Sequence, residues 1–204
     1  MSLTFFNACK NGDFFTVDFL IENKFDVNKI IHCGNSPLHL ACIHDQYDIV
    51  NLLIEKGANL NLKNSEHNTP LHIALENDNL GIFKLLIEKN ADFNLKNFDG
   101  QIPLHIACKN SNLEIIKLLI GKGSDINSKD YFKRTILHIA CLHNSVDAVK
   151  LLIEKGADIN SKDYLENTPL KIACKNDGNL EIIKLLIEKG ADINSKDYLG
   201  NTPL

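Results

Sequence analysis

"TPLHIALENDNLGIFKLLIEKNADFNLK", residues 69–96, returns 33 residues further on as "IPLHIACKNSNLEIIKLLIGKGSDINSK", residues 102–129. Set against itself at that interval, the chain places Pro37, Pro70, Pro103, Ile136 and Pro169 in one column. Leu38, Leu71, Leu104, Leu137 and Leu170 fill the next. A third column holds His39, His72, His105 and His138 and ends in Lys171. Asn28, Asn61, Asn94, Asn127 and Asn160 keep the same period, and the last interval, to Asn194, is one residue longer, around "KNDGNLE". Self-similarity at this interval marks a stacked solenoid, in which each unit buries its apolar face only against its neighbours. The units fall at about 3–35, 36–68, 69–101, 102–134, 135–167 and 168–201, and a seventh stops at 202–204 within "NTPL".

Each unit makes sense by itself. In "NTPLHIA" Thr69 is a good helix N-cap, and Pro70 falls at the first helical position, where its missing N–H costs nothing. A short helix starts there and gives way at "ENDN" (76–79) or "KNSN" (109–112). A second helix follows, as from Leu180 to Gly190, where Gly190 takes the left-handed conformation that closes a helix and Lys189 suits its negative end. Asn90 fills the glycine slot in one repeat. Ile182, Ile183, Leu185, Leu186 and Ile187 cover more than one face, so this helix needs neighbours on both sides.

The recurring "TPLHIA", the period and the "KGADIN" ending resemble the ankyrin repeat family over essentially the whole chain. The resemblance implies an all-α repeat solenoid, a single ankyrin repeat domain over 1–204. Its stacked units would be two antiparallel helices and a projecting hairpin-like finger, with the first helices lining the concave side. Four kinds of departure stand out: Ile102 for the Thr, Ile136 for the Pro, Lys171 for the His, and His67, Lys133 and Glu166 where fingers carry Gly. A Cβ resists positive φ, so these three fingers are expected to leave the standard turn. The first unit replaces the motif with Phe5 and Phe6 and reads as a cap. Phe6 and Phe15 stand at positions polar in most other units and are expected to close over the end of the stack, with holding a partner as the alternative.

The chain has 44% hydrophobic and 24% charged residues and a net charge of -4, with the charges closely mixed. That composition supports an ordered core but offers no basic tract to neutralise phosphates, so nucleic acid is not the expected partner. No apolar stretch approaches the roughly 18–20 residues of a membrane-spanning helix, and "MSLTFFNACKNGDFF" has no secretory pattern. The expected place is intracellular, in the cytoplasm; delivery into another cell by a specialised route leaves no mark in such a sequence.

His138, Cys141 and His143 raise a zinc site, since the first two share a helical face. The repeat column is the stronger reading: the resemblance makes this His a structural link between finger and helix, and no fourth ligand is evident. Cys9, Cys42, Cys108, Cys141 and Cys174 form a column where the family has a small buried residue. Stacked repeats are about 8–10 Å apart, too far for disulfide-bonded Cα atoms at about 4.4–6.8 Å, so reduced thiols are expected. Only Cys33, beside His32, stands outside the column. No phosphate loop, nucleophile elbow or acid pair escapes the repeat pattern, so neither an enzyme nor a cofactor is expected.

What remains is surface. By the resemblance, partner-binding residues sit at the finger tips and first-helix ends. The tips carry Phe98 and Asp99, Tyr131 and Phe132 with Arg134, Tyr164 and Leu165 with Asn167, and Tyr198 and Leu199. The helix ends carry Ile43, His44, Glu76, Asn77, Lys109, Asn110, Leu142 and His143. The expected function is a monomeric scaffold binding another protein, with Phe98, Tyr131, Phe132, Arg134, Leu142, His143, Tyr164 and Leu165 as contacts. The alternative is a recruiting segment of a larger enzyme or effector, since the stop inside "NTPL" suggests a chain that continues.

Overall fold

The computed structural model describes residues 2–176 and 179–203. Residues 177 and 178, within the stretch carrying the extra residue, and Leu204 of the seventh unit lie outside it. The described residues form twelve α-helices and no strand, apart from an isolated bridge between Lys129 and Thr135: an all-α repeat solenoid. Contacts group them into two compact units, 1–98 and 99–204. The first holds the pairs α1(Ser2–Asn11) and α2(Phe14–Glu22), α3(Pro37–Ile43) and α4(Tyr47–Glu55), and α5(Pro70–Glu76) and α6(Leu80–Glu88). The second holds α7(Pro103–Lys109) and α8(Leu113–Gly121), α9(Ile136–Leu142) and α10(Val146–Glu154), and α11(Pro169–Lys175) and α12(Leu180–Glu188). Within each unit first helices pack on first helices and second on second.

The helix ends follow their sequence signals. Thr69 caps α5 with Pro70 next, and Ser36 caps α3, its side chain accepting from the His39 N–H. The last helix is shorter than the expected 180–190: it ends at Glu188, and the N–H groups of Gly190 and Ala191 return to Ile187 and Leu186. Gly190 at φ 92° and Asn90 at φ 63° supply the left-handed closure. Ile82, Phe83, Leu85, Leu86 and Ile87 of α6 are all buried, as a helix with neighbours on both sides requires. In α12 only Ile182 and Leu186 are, and Ile187 is 40% exposed.

The first repeat divides the expectation for its phenylalanines. Phe6 is buried against Phe5 and Phe25, with ring centroids 5.9 and 6.5 Å away. Phe15 instead points out and is 86% exposed, touching only the edge of Phe14 among aromatic rings. Phe15 lies one position after Phe14 on α2, whose buried side chains are Val17 and Leu20, so the inward face is taken without it.

Two periodic side chains tie one repeat to the next. His39 Nδ1 accepts from the Ser36 N–H at 3.2 Å, which leaves the proton on Nε2 to donate to the Asn68 carbonyl, 29 residues on, at 3.0 Å. His138 does the same with Thr135 and with the Asn167 carbonyl, at 3.1 and 3.0 Å. Where Ile102 replaces the hydroxyl residue, its N–H still donates to His105 Nδ1 at 3.2 Å. The asparagine column forms the second tie. The side-chain carbonyls of Asn28, Asn61, Asn127 and Asn160 accept from the backbone N–H groups of Asn59, Asp92, Asp158 and Asp192 at 2.8–2.9 Å.

Burial holds the His39 and His138 pKa values below the ordinary histidine value, against the opposing pull of the Asn68 and Asn167 carbonyls. A histidine whose pKa is lowered by folding binds fewer protons folded than unfolded. Its stabilisation is therefore complete above the unfolded value of about 6.5 and lost as pH falls below it. Thermal melts from pH 7.5 to 5 should show Tm falling below about pH 6.5, and His39→Gln with His138→Gln should flatten that slope; an unchanged slope in the double variant would refute it. The thiols offer a second check. Burial pushes Cys9 up to about 12 and Cys42, Cys108 and Cys141 further, and only Cys33 is exposed. Thiol titration of native protein should find Cys33 reacting fast and these four only on unfolding.

Candidate functional site

Residues 99–204 project three consecutive fingers whose backbones are bonded to one another, the first of them also to Asp99. The Tyr131 N–H donates to the Asp99 carbonyl at 2.9 Å, Tyr164 to Phe132 at 2.8 Å and Tyr198 to Leu165 at 3.0 Å. Each finger is held from inside by one aspartate. Asp130 Oδ1 accepts from the N–H groups of Phe132 and Arg134 at 2.9 and 2.8 Å, Asp163 from Leu165 and Asn167 at 2.8 Å each, and Asp197 from Leu199 and Asn201 at 3.0 and 2.9 Å. The Asn201 and Leu199 N–H groups, helped by the Lys171 charge, hold the Asp197 carboxyl at about 2 against the cost of burial.

This carboxylate brace overturns the expectation for the glycine-less fingers. His67, Lys133 and Glu166 keep φ at 57°, 58° and 60°, the left-handed turn the family's glycine would supply. The strain of a Cβ there, on the order of 1 kcal/mol, is offset by side-chain acceptors each binding two N–H groups; in the His67 finger Asn64 Oδ1 takes those of Glu66 and Asn68 at 3.0 Å.

The same turn position props the aromatic residue of the next finger. In the first unit His67 meets the Phe98 ring edge-on at 5.9 Å. In the second, Lys133 Nζ stands 5.6 Å from the centre of the Tyr164 ring. Gly100 leaves room for Tyr131, whose ring a Cβ would meet at 2.6 Å. The rings remain open to solvent: Tyr131 is 66% exposed, Phe132 57%, Tyr164 69% and Leu165 58%. They thus form one ridge with Tyr198 and Leu199, which are also exposed. Phe98 is exposed on the first unit.

Arg134, one of the expected contacts, turns its guanidinium towards its own finger. Its guanidinium binds Asp130 Oδ2 through Nε at 2.8 Å and Nη2 at 2.7 Å and lies 4.9 Å from the Phe132 ring centre. It braces its own finger, and Lys133, singled out in the sequence only as a turn residue, supplies the outward charge. Leu142 is half-buried at the end of α9, its carbonyl accepting from Asn176 Nδ2, while His143 is exposed with its pKa lowered by partial burial and the charges of Lys109 and Arg134. His138 spends both ring nitrogens on Thr135 and Asn167, which takes it out of any zinc site with Cys141. Among the described residues no group of three His, Cys, Asp or Glu is placed to hold a metal ion, and no helix is long and apolar enough to cross a membrane.

Lys171 takes over the histidine's task in the last repeat. It is nearly buried, donates to the Thr202 carbonyl and lies 3.5 Å from the Asp197 carboxylate. Gly100→Ala should cost on the order of 1–3 kcal/mol, because at φ 75° the new Cβ would also meet the Tyr131 backbone nitrogen at 2.8 Å, a group fixed by its bond to Asp99. Lys133→Gly, at a position already left-handed, should leave Tm almost unchanged. Equal Tm for Gly100→Ala and the parent would contradict the close approach.

Comparison with curated protein sequences gives no match. Two family models do match: "Ankyrin repeats (3 copies)" over residues 5–97 and 104–197, and "Ankyrin repeats (many copies)" over 76–120. Among solved structures the chain is similar to the human ASB11 ankyrin repeat domain, at 28% identity and a TM-score of 0.83 over 98% of this chain and 89% of that one. It is also similar to the ankyrin repeat domain of Bcl-3, a member of the IkappaB protein family, at 27% identity and a TM-score of 0.84 over 98% and 91%. Ankyrin repeat domains are in general protein–protein interaction modules. The helix pairs, the histidine and asparagine ties, the braced fingers and the models that match most of its length agree: this chain belongs to the ankyrin repeat family.

Proposed function

We propose that the chain is a non-enzymatic, monomeric protein-binding scaffold, one ankyrin repeat domain over 1–204, that holds another protein against the finger tips and first-helix face of residues 99–204. One observation carries this reading: consecutive fingers expose Tyr131, Phe132, Tyr164 and Leu165 on backbones already fixed by the ladder and the buried aspartates. Large apolar side chains on ordered backbone lose little freedom on binding, and aromatic anchors dominate interface energies. Leu142 and His143 extend the surface along α9.

A random peptide library displayed on phage and panned on the intact chain supplies ligands for the test, with affinity read by calorimetry. Tyr131→Ala with Tyr164→Ala should weaken them about 30-fold or more, the equivalent of losing one anchor of about 2 kcal/mol, while Tm moves by no more than about 2 °C. Lys117→Ala with Lys184→Ala, exposed on second helices, should do neither. Lys150 is the poorer control because it pairs with Glu181 of the next repeat at 2.7 Å. Parent affinity in the double Tyr variant would remove the fingers as the binding surface.

A further inference from the structure

The finger ridge also has a charge. Its carboxylates face inward: those of Asp130, Asp163 and Asp197 are committed to turn N–H groups. Glu166 is paired with Lys162 at 3.1 Å. Three lysines face outward. Lys129 and Lys133 are both exposed on the first of these hairpins and Lys196 on the third, and Lys133 stands beside the Tyr164 ring with its ammonium still in water. Asp99, on the first rung, is an exposed carboxylate at the margin of the ridge, before Tyr131. Along the stack the pattern is aromatic or aliphatic side chain, lysine, aromatic side chain, in a chain whose net charge is -4. The exposed charges of the ridge are thus mostly cationic, on a molecule whose net charge is negative.

Resting on the protein-binding reading above, we propose that this ridge takes an acidic peptide segment of its partner, with carboxylates set between apolar anchors. Apolar side chains of the segment lie against the Tyr131–Phe132 and Tyr164–Leu165 pairs, and its carboxylates meet Lys133 and the flanking lysines. Successive fingers are about 10 Å apart, the spacing of stacked repeats, and an extended chain advances about 3.3 Å per residue. The segment therefore offers an apolar anchor at about every third residue, with acids between. Exposed charge pairs of this kind are screened over roughly 10 Å at 0.1 M salt, so the contribution of the lysines is salt-dependent and that of the anchors is not.

The test pans the same peptide library on the intact chain at about 50 and about 300 mM salt. Enriched peptides should be rich in Asp and Glu with Leu, Phe, Tyr or Trp at about three-residue spacing, and should bind more weakly at the higher salt. Lys133→Glu should weaken them about tenfold, and Tyr131→Ala with Tyr164→Ala should abolish capture, with Tm retained in both variants. Neutral or basic peptides that still depend on Tyr131 and Tyr164 would overturn the acidic partner and leave the finger surface standing. Acidic peptides indifferent to Lys133→Glu and to the tyrosine pair would remove the finger surface itself. A failure to enrich any sequence would overturn the proposal. So would Lys133- and tyrosine-dependent binding of a labelled oligothymidylate at about 150 mM salt, which would make the ridge a stacking platform for single-stranded nucleic acid.

Discussion

Burying an imidazole favours a partner on each nitrogen, and where this fold supplies both, one ring ties a repeat to the next. His39 and His138 each use Nδ1 on the turn that starts their own helix and Nε2–H on a carbonyl of the next finger. One ring thus fixes where a helix begins and where the following hairpin stands. The asparagine tie at the far end of the hairpin and the finger-to-finger backbone bonds act beside it. Losing the acceptor would strand a buried donor at about 1–3 kcal/mol. The last repeat shows the same constraint met with other chemistry. Lys171 reaches a carbonyl of the next finger, and because a nearly buried ammonium demands a counter-charge, Asp197 stands beside it.

The repeat and its helices were legible because their causes are local. A capping hydroxyl, a proline at the first turn and a glycine or asparagine at the close act within a few residues of one another, and the chain repeats the arrangement. The cysteine column was legible for a related reason, since a small apolar group at one phase has one environment. The asparagine column could be seen but not explained from sequence, because its acceptors serve backbone N–H groups about thirty residues on, and a backbone group has no letter. His67, Lys133 and Glu166 misled for the opposite reason. Their steric cost is local and visible, whereas its compensation is the two-fold acceptance by Asn64, Asp130 and Asp163, which reads as an ordinary polar residue.

The candidate surface divides along the same line. That Tyr131, Phe132, Tyr164 and Leu165 reach solvent follows from their phase in the repeat, and they do. The side-chain pairings at the tips did not follow. Arg134 has a carboxylate four residues before it in Asp130 and turns inward to it, while Lys133 has none there and stays out over Tyr164. Phe15 failed similarly: an aromatic letter in a capping repeat suggests closure, but its place on α2 faces away from Val17 and Leu20.

A division of labour within each finger explains why its tip can carry so much apolar surface. The turn is secured by an inward aspartate and the neighbouring finger by backbone bonds, so the tip side chains have little part in holding the fold. Substitution there is then nearly free of a folding penalty, as the sequence itself displays. Ser65 and Glu66, Phe98 and Asp99, Tyr131 and Phe132, and Tyr164 and Leu165 occupy equivalent places over a scaffold whose inward residues hardly change. One link survives between tip and scaffold. In three turns the left-handed residue lies beside the aromatic of the next finger: His67 by Phe98, Gly100 by Tyr131 and Lys133 by Tyr164. Changing that residue alters what surrounds an exposed ring while the turn persists, so the identity of this one position tunes the chemistry of the surface without rebuilding the stack.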